Sequence, residues 1–219
     1  MEETKDVPVS RKNGGTNAGI TGCRFSLSVM SDGYANAILG AVGRVNTRKL
    51  WSGTDALSTV YRGKRVHVVD AVKACLVHVN DGRTHATMEA TFSRGCPGDA
   101  DGDSPDDVPT DDAPMDAALN PADKKFNVLG KISLYPLGIP EYTEHIAHAV
   151  NLTKDMGVFK NVSRYATEMQ GDVDDIFDCL NAIMNRAEES VPHYVLQVTL
   201  SVNSPSLANG RDDKIGGKT

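Results

Sequence analysis

Val66-His67-Val68-Val69-Asp70-Ala71-Val72-Lys73-Ala74-Cys75-Leu76-Val77 is the stretch on which the fold turns. Its β-branched residues permit a strand. Its counterpart 108 residues later, Asp174 to Met184, is more clearly helical in its apolar spacing, and two copies of one unit share one structure, so both segments are read as helices. The same offset of 108 sets Trp51 against Phe159, Thr59 against Thr167, Gly63 against Gly171, Asp70 against Asp178, Thr91 against Thr199 and Pro97 against Pro205. Upstream the offset is 107, which sets Ser26-Leu27 against Ser133-Leu134 and Met30 against Leu137. A period this long is a duplicated domain, because solenoid repeats recur about every 20 to 50 residues. Any site is therefore sought twice.

Outward from that helix the first unit reads as follows. Phe25-Ser26-Leu27-Ser28-Val29 alternates apolar and polar, the pattern of a strand buried on one face. Asp32 is placed to cap a helix through Tyr34, Ile38, Leu39 and Val42. Lys49 to Gly53 and Leu57 to Arg62 are short strands around a Thr54-Asp55 turn, a hairpin. After the helix at 66–77, Thr87 to Ser93 alternates again before the breaker Gly95-Cys96-Pro97-Gly98. The order strand, helix, strand, strand, helix, strand recurs from Val128 to Ser204. This predicts an α+β fold, a tandem duplication of a ferredoxin-like βαββαβ unit, with antiparallel four-stranded sheets carrying their helices on one face. The other face then meets water, a ligand or another sheet. Thr87, Glu89, Thr91 and Ser93 give the last strand of the first unit a polar side that fits this. The expected organisation is a flexible arm at 1–22, repeat one at 23–98, an acidic linker at 99–125, repeat two at 126–206 and a flexible tail at 207–219.

The formal charge of −6 conceals its distribution. Residues 98–123 hold nine Asp and no Lys or Arg, and setting those nine charges aside leaves +3 on the rest. A near-neutral body predicts no nucleic-acid footprint. Aromatic residues at 5% and Thr91-Phe92-Ser93 in the last strand also argue against an RNA-binding sheet. No run approaches the roughly 18 to 20 apolar residues of a membrane helix, and Met1 to Asn17 is polar, so the expected location is cytoplasmic.

Catalytic and metal-binding chemistry finds little to work with. Cys23, Cys75, Cys96 and Cys179 form no CxxC pair and read as reduced structural thiols. Of the six histidines only His145 and His148 stand at helical spacing, and no third ligand accompanies them, so they read as surface residues. Asp99-Ala100-Asp101-Gly102-Asp103 resembles a calcium loop, but its glycine is misplaced and Thr110 holds the twelfth position, so it reads as solvated linker. No nucleophile with its base, no paired carboxylates and no phosphate loop are found, which predicts a protein that is not an enzyme and needs no cofactor or metal. What the copies do share is hydroxyl residues on strands: Ser26 with Ser133, Thr59 with Thr167, Thr91 with Thr199, and Ser93 with Ser201.

Three segments of the first copy resemble the YkoF family, which binds thiamine and its hydroxymethylpyrimidine precursor: Phe25 to Asp32, Leu57 to Gly63, and Thr91 to Asp99. In the second copy the matching segments are Ile132 to Leu137, Tyr165 to Asp172, and Ser201 to Ser206, so that the resemblance runs in order over about residues 22 to 206. It implies a homodimer, one ligand site per repeat, no catalysis, and a role in uptake or salvage of the thiamine pyrimidine alongside a membrane transporter. It further implies that Leu27 and the Thr59 hydroxyl contact ligand in repeat one and Leu134 and Thr167 in repeat two, with Ser26, Met30 and Glu89 as lesser contacts. An aminopyrimidine suits such residues, since hydroxyl and backbone groups read its edge while apolar side chains pack on its faces. Tyr34, Tyr61, Tyr135 or Glu89 would favour the cationic thiazolium of thiamine. Glu89 becomes Gln197, Ser28 becomes Tyr135 and Val29 becomes Pro136 in the second copy, so unequal sites are expected. Two other readings stay open: an enzyme of thiamine salvage on the same scaffold, and an ACT-like regulatory module sensing another small metabolite.

Overall fold

In the computed structural model, which describes residues 19–95, 120–121 and 124–206 with the backbone of 207–208, the two repeats follow the same order of elements. Repeat one is β1 (Ile20–Val29), α1 (Tyr34–Val42), β2 (Trp51–Thr54), β3 (Thr59–Lys64), α2 (Arg65–Val79) and β4 (Ala86–Arg94). Repeat two is β5 (Asn127–Leu137), α3 (Tyr142–Asp155), β6 (Phe159–Ser163), β7 (Ala166–Asp172), α4 (Val173–Glu188) and β8 (His193–Val202), followed by a short α5 (Pro205–Ala208). Each is a ferredoxin-like βαββαβ unit, as expected. The decisive segment is helical, and its ambiguous composition has a physical cause. Ten of the fifteen residues of α2 are buried, because the helix packs on α1, α4, β1 and β3 at once, so it lacks the one-sided stripe of a surface helix. Helix α4 keeps such a stripe, and Asp172 caps it by accepting the Asp174 N–H at 3.1 Å.

The two four-stranded sheets join edge to edge through β4 and β8. One antiparallel eight-stranded sheet results, in the order β2-β3-β1-β4-β8-β5-β7-β6. The pairing centres on Ala90 opposite Val198, which are equivalent residues of the two copies, so a pseudo-twofold axis passes between them. Cys23, Phe25, Leu27, Met88, Ala90 and Phe92 point with their repeat-two counterparts toward the helices and form one core. Each large side chain so buried contributes roughly 1.5–3 kcal/mol. Arg24, Ser26, Ser28, Thr87, Glu89 and Thr91 alternate onto the opposite, open face. Gly63 and Gly171 recur because β3 and β7 each pass close under a neighbouring chain. A Cβ at Gly63 would lie 2.6 Å from Leu50 Cδ2, and one at Gly171 3.0 Å from Val158 Cγ1.

Three local expectations change. Strand β1 begins at Ile20, inside the segment assigned to the arm, because Ile20 to Gly22 continue the ladder with β3. Asp32 does not cap α1: Gly33 takes the N-cap position without a side-chain bond, and its N–H goes to Ser31 Oγ at 3.2 Å. Asn120, within the linker expected to be solvated, is buried. Its Oδ1 accepts the Asn46 N–H at 3.0 Å and its Nδ2 donates to Asp70 Oδ2 at 2.8 Å, which fastens the end of the linker to repeat one. The calcium-like run 99–103 and Cys96 lie outside the described residues.

Candidate functional site

Leu27 and Thr59 share the helix-facing side of the sheet, where β1 runs out toward α1. Thr59 stands opposite Phe25 in the ladder and Leu27 lies two residues further on, so both side chains take the buried face. Thr59 is one of the few buried polar residues, 6% exposed, and its Oγ1 sits 3.0 Å from Thr54 Oγ1 across the β2–β3 hairpin. Repeat two reproduces this. Thr167, 7% exposed, stands opposite Ile132, with Leu134 two residues on. The copies differ in what faces the threonine, since Val162 occupies the place of Thr54. They differ again beyond the leucine. Leu134 borders a cleft between α3 and α4, too narrow for a water molecule, with His145, His148 and Arg186 on its walls. The two imidazole rings are 6.3 Å apart and edge-on. In repeat one the equivalents of those histidines are Ala37 and Gly40, and Arg44 lies across that surface, donating from Nε to Gly40 O at 2.8 Å and from Nη2 to His78 O at 3.3 Å.

An exposed tyrosine begins the first helix of each repeat. Tyr34, at the start of α1, is well exposed; Met30 is exposed too, but it continues the β1–β4 ladder, its N–H donating to His85 O at 2.9 Å, and so alternates with Ser26 and Ser28 onto the open face, away from Leu27. In repeat two Tyr142 is likewise exposed at the start of α3, whereas Leu137, opposite His193 in the β5–β8 ladder, shares the open face with Ser133 and Tyr135. Tyr61 is not available to a ligand: its ring is in the core against Phe25, centroids 5.2 Å apart, and its hydroxyl lies 3.5 Å from Cys75 Sγ. Burial above all, and the neighbouring Cys75, push its pKa up.

Ser26 and Glu89 belong to a different place. They stand opposite each other across β1 and β4 on the open face, so they cannot line one pocket with Leu27 and Thr59. There they help to line a groove of about 370 Å³ with Arg24, Thr91, Gln197 and the Asp55–Ser58 turn. Asp55 shapes that turn: its Oδ1 accepts the N–H groups of Leu57 and Ser58, each at 2.8 Å. Those two bonds hold its carboxyl below the usual range, and Arg24 adds a smaller attraction. The same region of repeat two is organised otherwise. Lys131, in the place of Arg24, pairs with Glu168 at 3.1 Å, and Ser133 Oγ donates to Tyr165 O at 2.7 Å. Tyr135, also on the open face, is half exposed.

A model of the YKOF-related family matches residues 20–99 and 127–207. The chain belongs to that family. The two matched stretches coincide with the two repeats of the YkoF-related fold and leave out the acidic link between them. A relative in Bacillus subtilis (strain 168), named "Putative HMP/thiamine-binding protein YkoF", is 38% identical over 200 residues, which covers 87% of this chain and 94% of the relative. Among the described residues no three His, Cys, Asp or Glu side chains gather to hold a metal. Cys75 and Cys179 are each pushed up to about 12 by burial, so these thiols are poor nucleophiles. No helix among the described residues is long and apolar enough to cross a membrane. Thr54, Tyr142 and Arg24 are the neighbours of the candidate residues that sequence reasoning missed. Thr54 was within reach, since a two-strand hairpin sets its last residue against the first of the next strand.

Proposed function

We propose that this protein binds thiamine or its hydroxymethylpyrimidine precursor without transforming it, at one site per repeat, and that it serves uptake or salvage of the pyrimidine. The reading is carried by one observation: a buried threonine hydroxyl beside a leucine recurs at equivalent helix-side positions of both repeats, Thr59 with Leu27 and Thr167 with Leu134. A hydroxyl both donates and accepts, which matches the ring nitrogen and amino group along one edge of an aminopyrimidine, and the leucine packs on the ring face. Tyr34 and Tyr142, exposed at the starts of α1 and α3, supply an aromatic ring against which the thiazolium of thiamine would rest. The copies present Thr54 and Val162 differently to the bound edge, so the two sites differ in affinity.

A cytoplasmic homodimer working beside a membrane transporter completes the reading, its dimer supported by the exposed apolar side chains Met30, Leu137 and Tyr135 on the open face, which favour association. Titration calorimetry with thiamine and with hydroxymethylpyrimidine is expected to show two classes of site per chain. Mass spectrometry of the ligand after prolonged incubation is expected to return it unchanged. Absence of heat with both ligands would overturn the binding role, and a converted product would overturn the non-catalytic one. Sedimentation equilibrium is expected to give twice the 23.5 kDa chain mass; a monomer across micromolar concentrations would remove the dimer.

A further inference from the structure

The open-face groove of repeat one carries two charges that no ion pair among the described residues engages. Arg24 and Glu89 both line it, on adjacent strands and on the same face, yet no ion pair joins either of them to a partner among the described residues. Asp55 lends Arg24 a minor attraction but no ion pair, its Oδ1 being held by the Leu57 and Ser58 N–H groups of the turn. The second repeat shows how the same position is closed from within. Lys131 replaces Arg24 and Glu168 replaces Val60, and the two pair at 3.1 Å. Gln197 replaces Glu89, so no unpaired carboxylate remains there. Ser133, equivalent to Ser26, ties down the Tyr165 carbonyl of the hairpin. In repeat one Ser26 makes no such tie and the groove stays open.

We propose that this groove is a binding site for a small zwitterion, a molecule with one ammonium and one carboxylate group on an apolar carbon skeleton. The ammonium faces Glu89 and the carboxylate faces Arg24, whose planar guanidinium offers two parallel donors to a carboxylate. Leu57, 86% exposed on the hairpin wall, gives the carbon skeleton its apolar contact. A volume of about 370 Å³ is within the range of small-molecule pockets, roughly 300–1,000 Å³. Gln197, supplied by β8, makes the site a joint product of both repeats. The groove lies across the sheet from Thr59 and Leu27, so it is separate from the pyrimidine sites proposed above.

The test is a titration of the full chain followed by amide resonances, with L-leucine as zwitterion and with isopentylamine and 4-methylpentanoate as its two charged halves. L-Leucine is expected to shift Ser26, Leu57 and Gln197 saturably, with half-saturation near 1 mM or below, and each half-molecule to bind at least about tenfold more weakly. Glu89→Gln is expected to weaken L-leucine at least about fivefold while sparing 4-methylpentanoate, and Arg24→Gln to weaken L-leucine likewise while sparing isopentylamine. Saturating thiamine is expected to leave the L-leucine response intact. Unsaturable shifts, or equal binding by both variants and the parent chain, would overturn the zwitterion site. Displacement of L-leucine by thiamine would overturn its separateness, whereas loss of thiamine binding alone would strike only the pyrimidine reading.

Discussion

Thr59 is the residue whose replacement is most informative. Its hydroxyl is held by Thr54 Oγ1 at 3.0 Å, and valine keeps its size and branching while removing the hydrogen-bonding group. Thr54 also loses a partner, but it is exposed and water replaces the bond. Thr59→Val is therefore expected to lower stability by no more than about 1 kcal/mol. The pyrimidine should bind about three- to tenfold more weakly in the first site, as one lost hydrogen bond implies. Thr167→Val should act on the second site alone. Calorimetry reads the two sites separately, and unchanged affinity in both variants would remove the threonines from the site. This pair was legible in the sequence, because a hydroxyl repeated at the offset of 108 stands out in the residues themselves. Alternation along a strand likewise separates Ser26 from Leu27 on sequence grounds, since neighbours in a strand point to opposite faces. Which of the two faces meets the helices was not legible for the threonines, since a threonine fits a half-buried strand on either side.

Among the elements, α2 and α4 bind the repeats together, and Glu188 is the centre of that contact. At the end of α4 it accepts the Tyr194 hydroxyl at 3.1 Å and meets Arg65 Nε at 3.2 Å and Arg94 Nη1 at 3.0 Å, so two arginines of repeat one converge on one carboxylate of repeat two. Arg65 also donates to the Asn181 carbonyl at 3.0 Å, and Lys73 pairs with Asp174 at 3.0 Å along the same seam. The arginine side chains are 14% and 21% exposed, so removing the carboxylate leaves two largely desolvated cations facing each other. Glu188→Ala is expected to cost about 2–4 kcal/mol in denaturant unfolding, and Glu188→Gln somewhat less because its amide oxygen still accepts. A loss below about 0.5 kcal/mol for Glu188→Ala would mean that the seam is held by apolar packing alone. Asn120→Ala tests the linker anchor in the same way. It strands the Asn46 N–H and an Asp70 oxygen, for an expected loss of about 1–3 kcal/mol. Neither contact was legible in the sequence. Both join residues far apart in the chain, and the equivalent positions, Val173 for Arg65 and Asn80 for Glu188, do not repeat the charge, so the duplication that exposed the strands carried no signal for them.

For the molecule as a whole, the duplication predicted two units, and the structure adds how they meet: β4 against β8 about a pseudo-twofold at Ala90 and Val198, with one core on one side of one sheet. That core has a consequence for pH. Cys75 and Cys179 are each raised to about 12 by burial, Cys23 is raised well above its usual value by burial and by Cys75, and Tyr61 and Tyr194 are raised as well. These groups are neutral when protonated, so the folded state favours the protonated form. Their contribution is fully present below the unfolded pKa, about 8.5 for Cys and about 10 for Tyr, and is lost as pH rises toward the folded values. The melting temperature is therefore expected to stay flat to about pH 8 and to fall from about pH 9 to 11. In a Cys96→Ser chain, reaction of the three buried thiols with a disulfide reagent at pH 8 should follow the rate of unfolding rather than the amount of reagent. Rapid labelling at pH 8 with the melting temperature unchanged would show that the thiols ionise inside the folded sheet, and would place water in the core that the two repeats share.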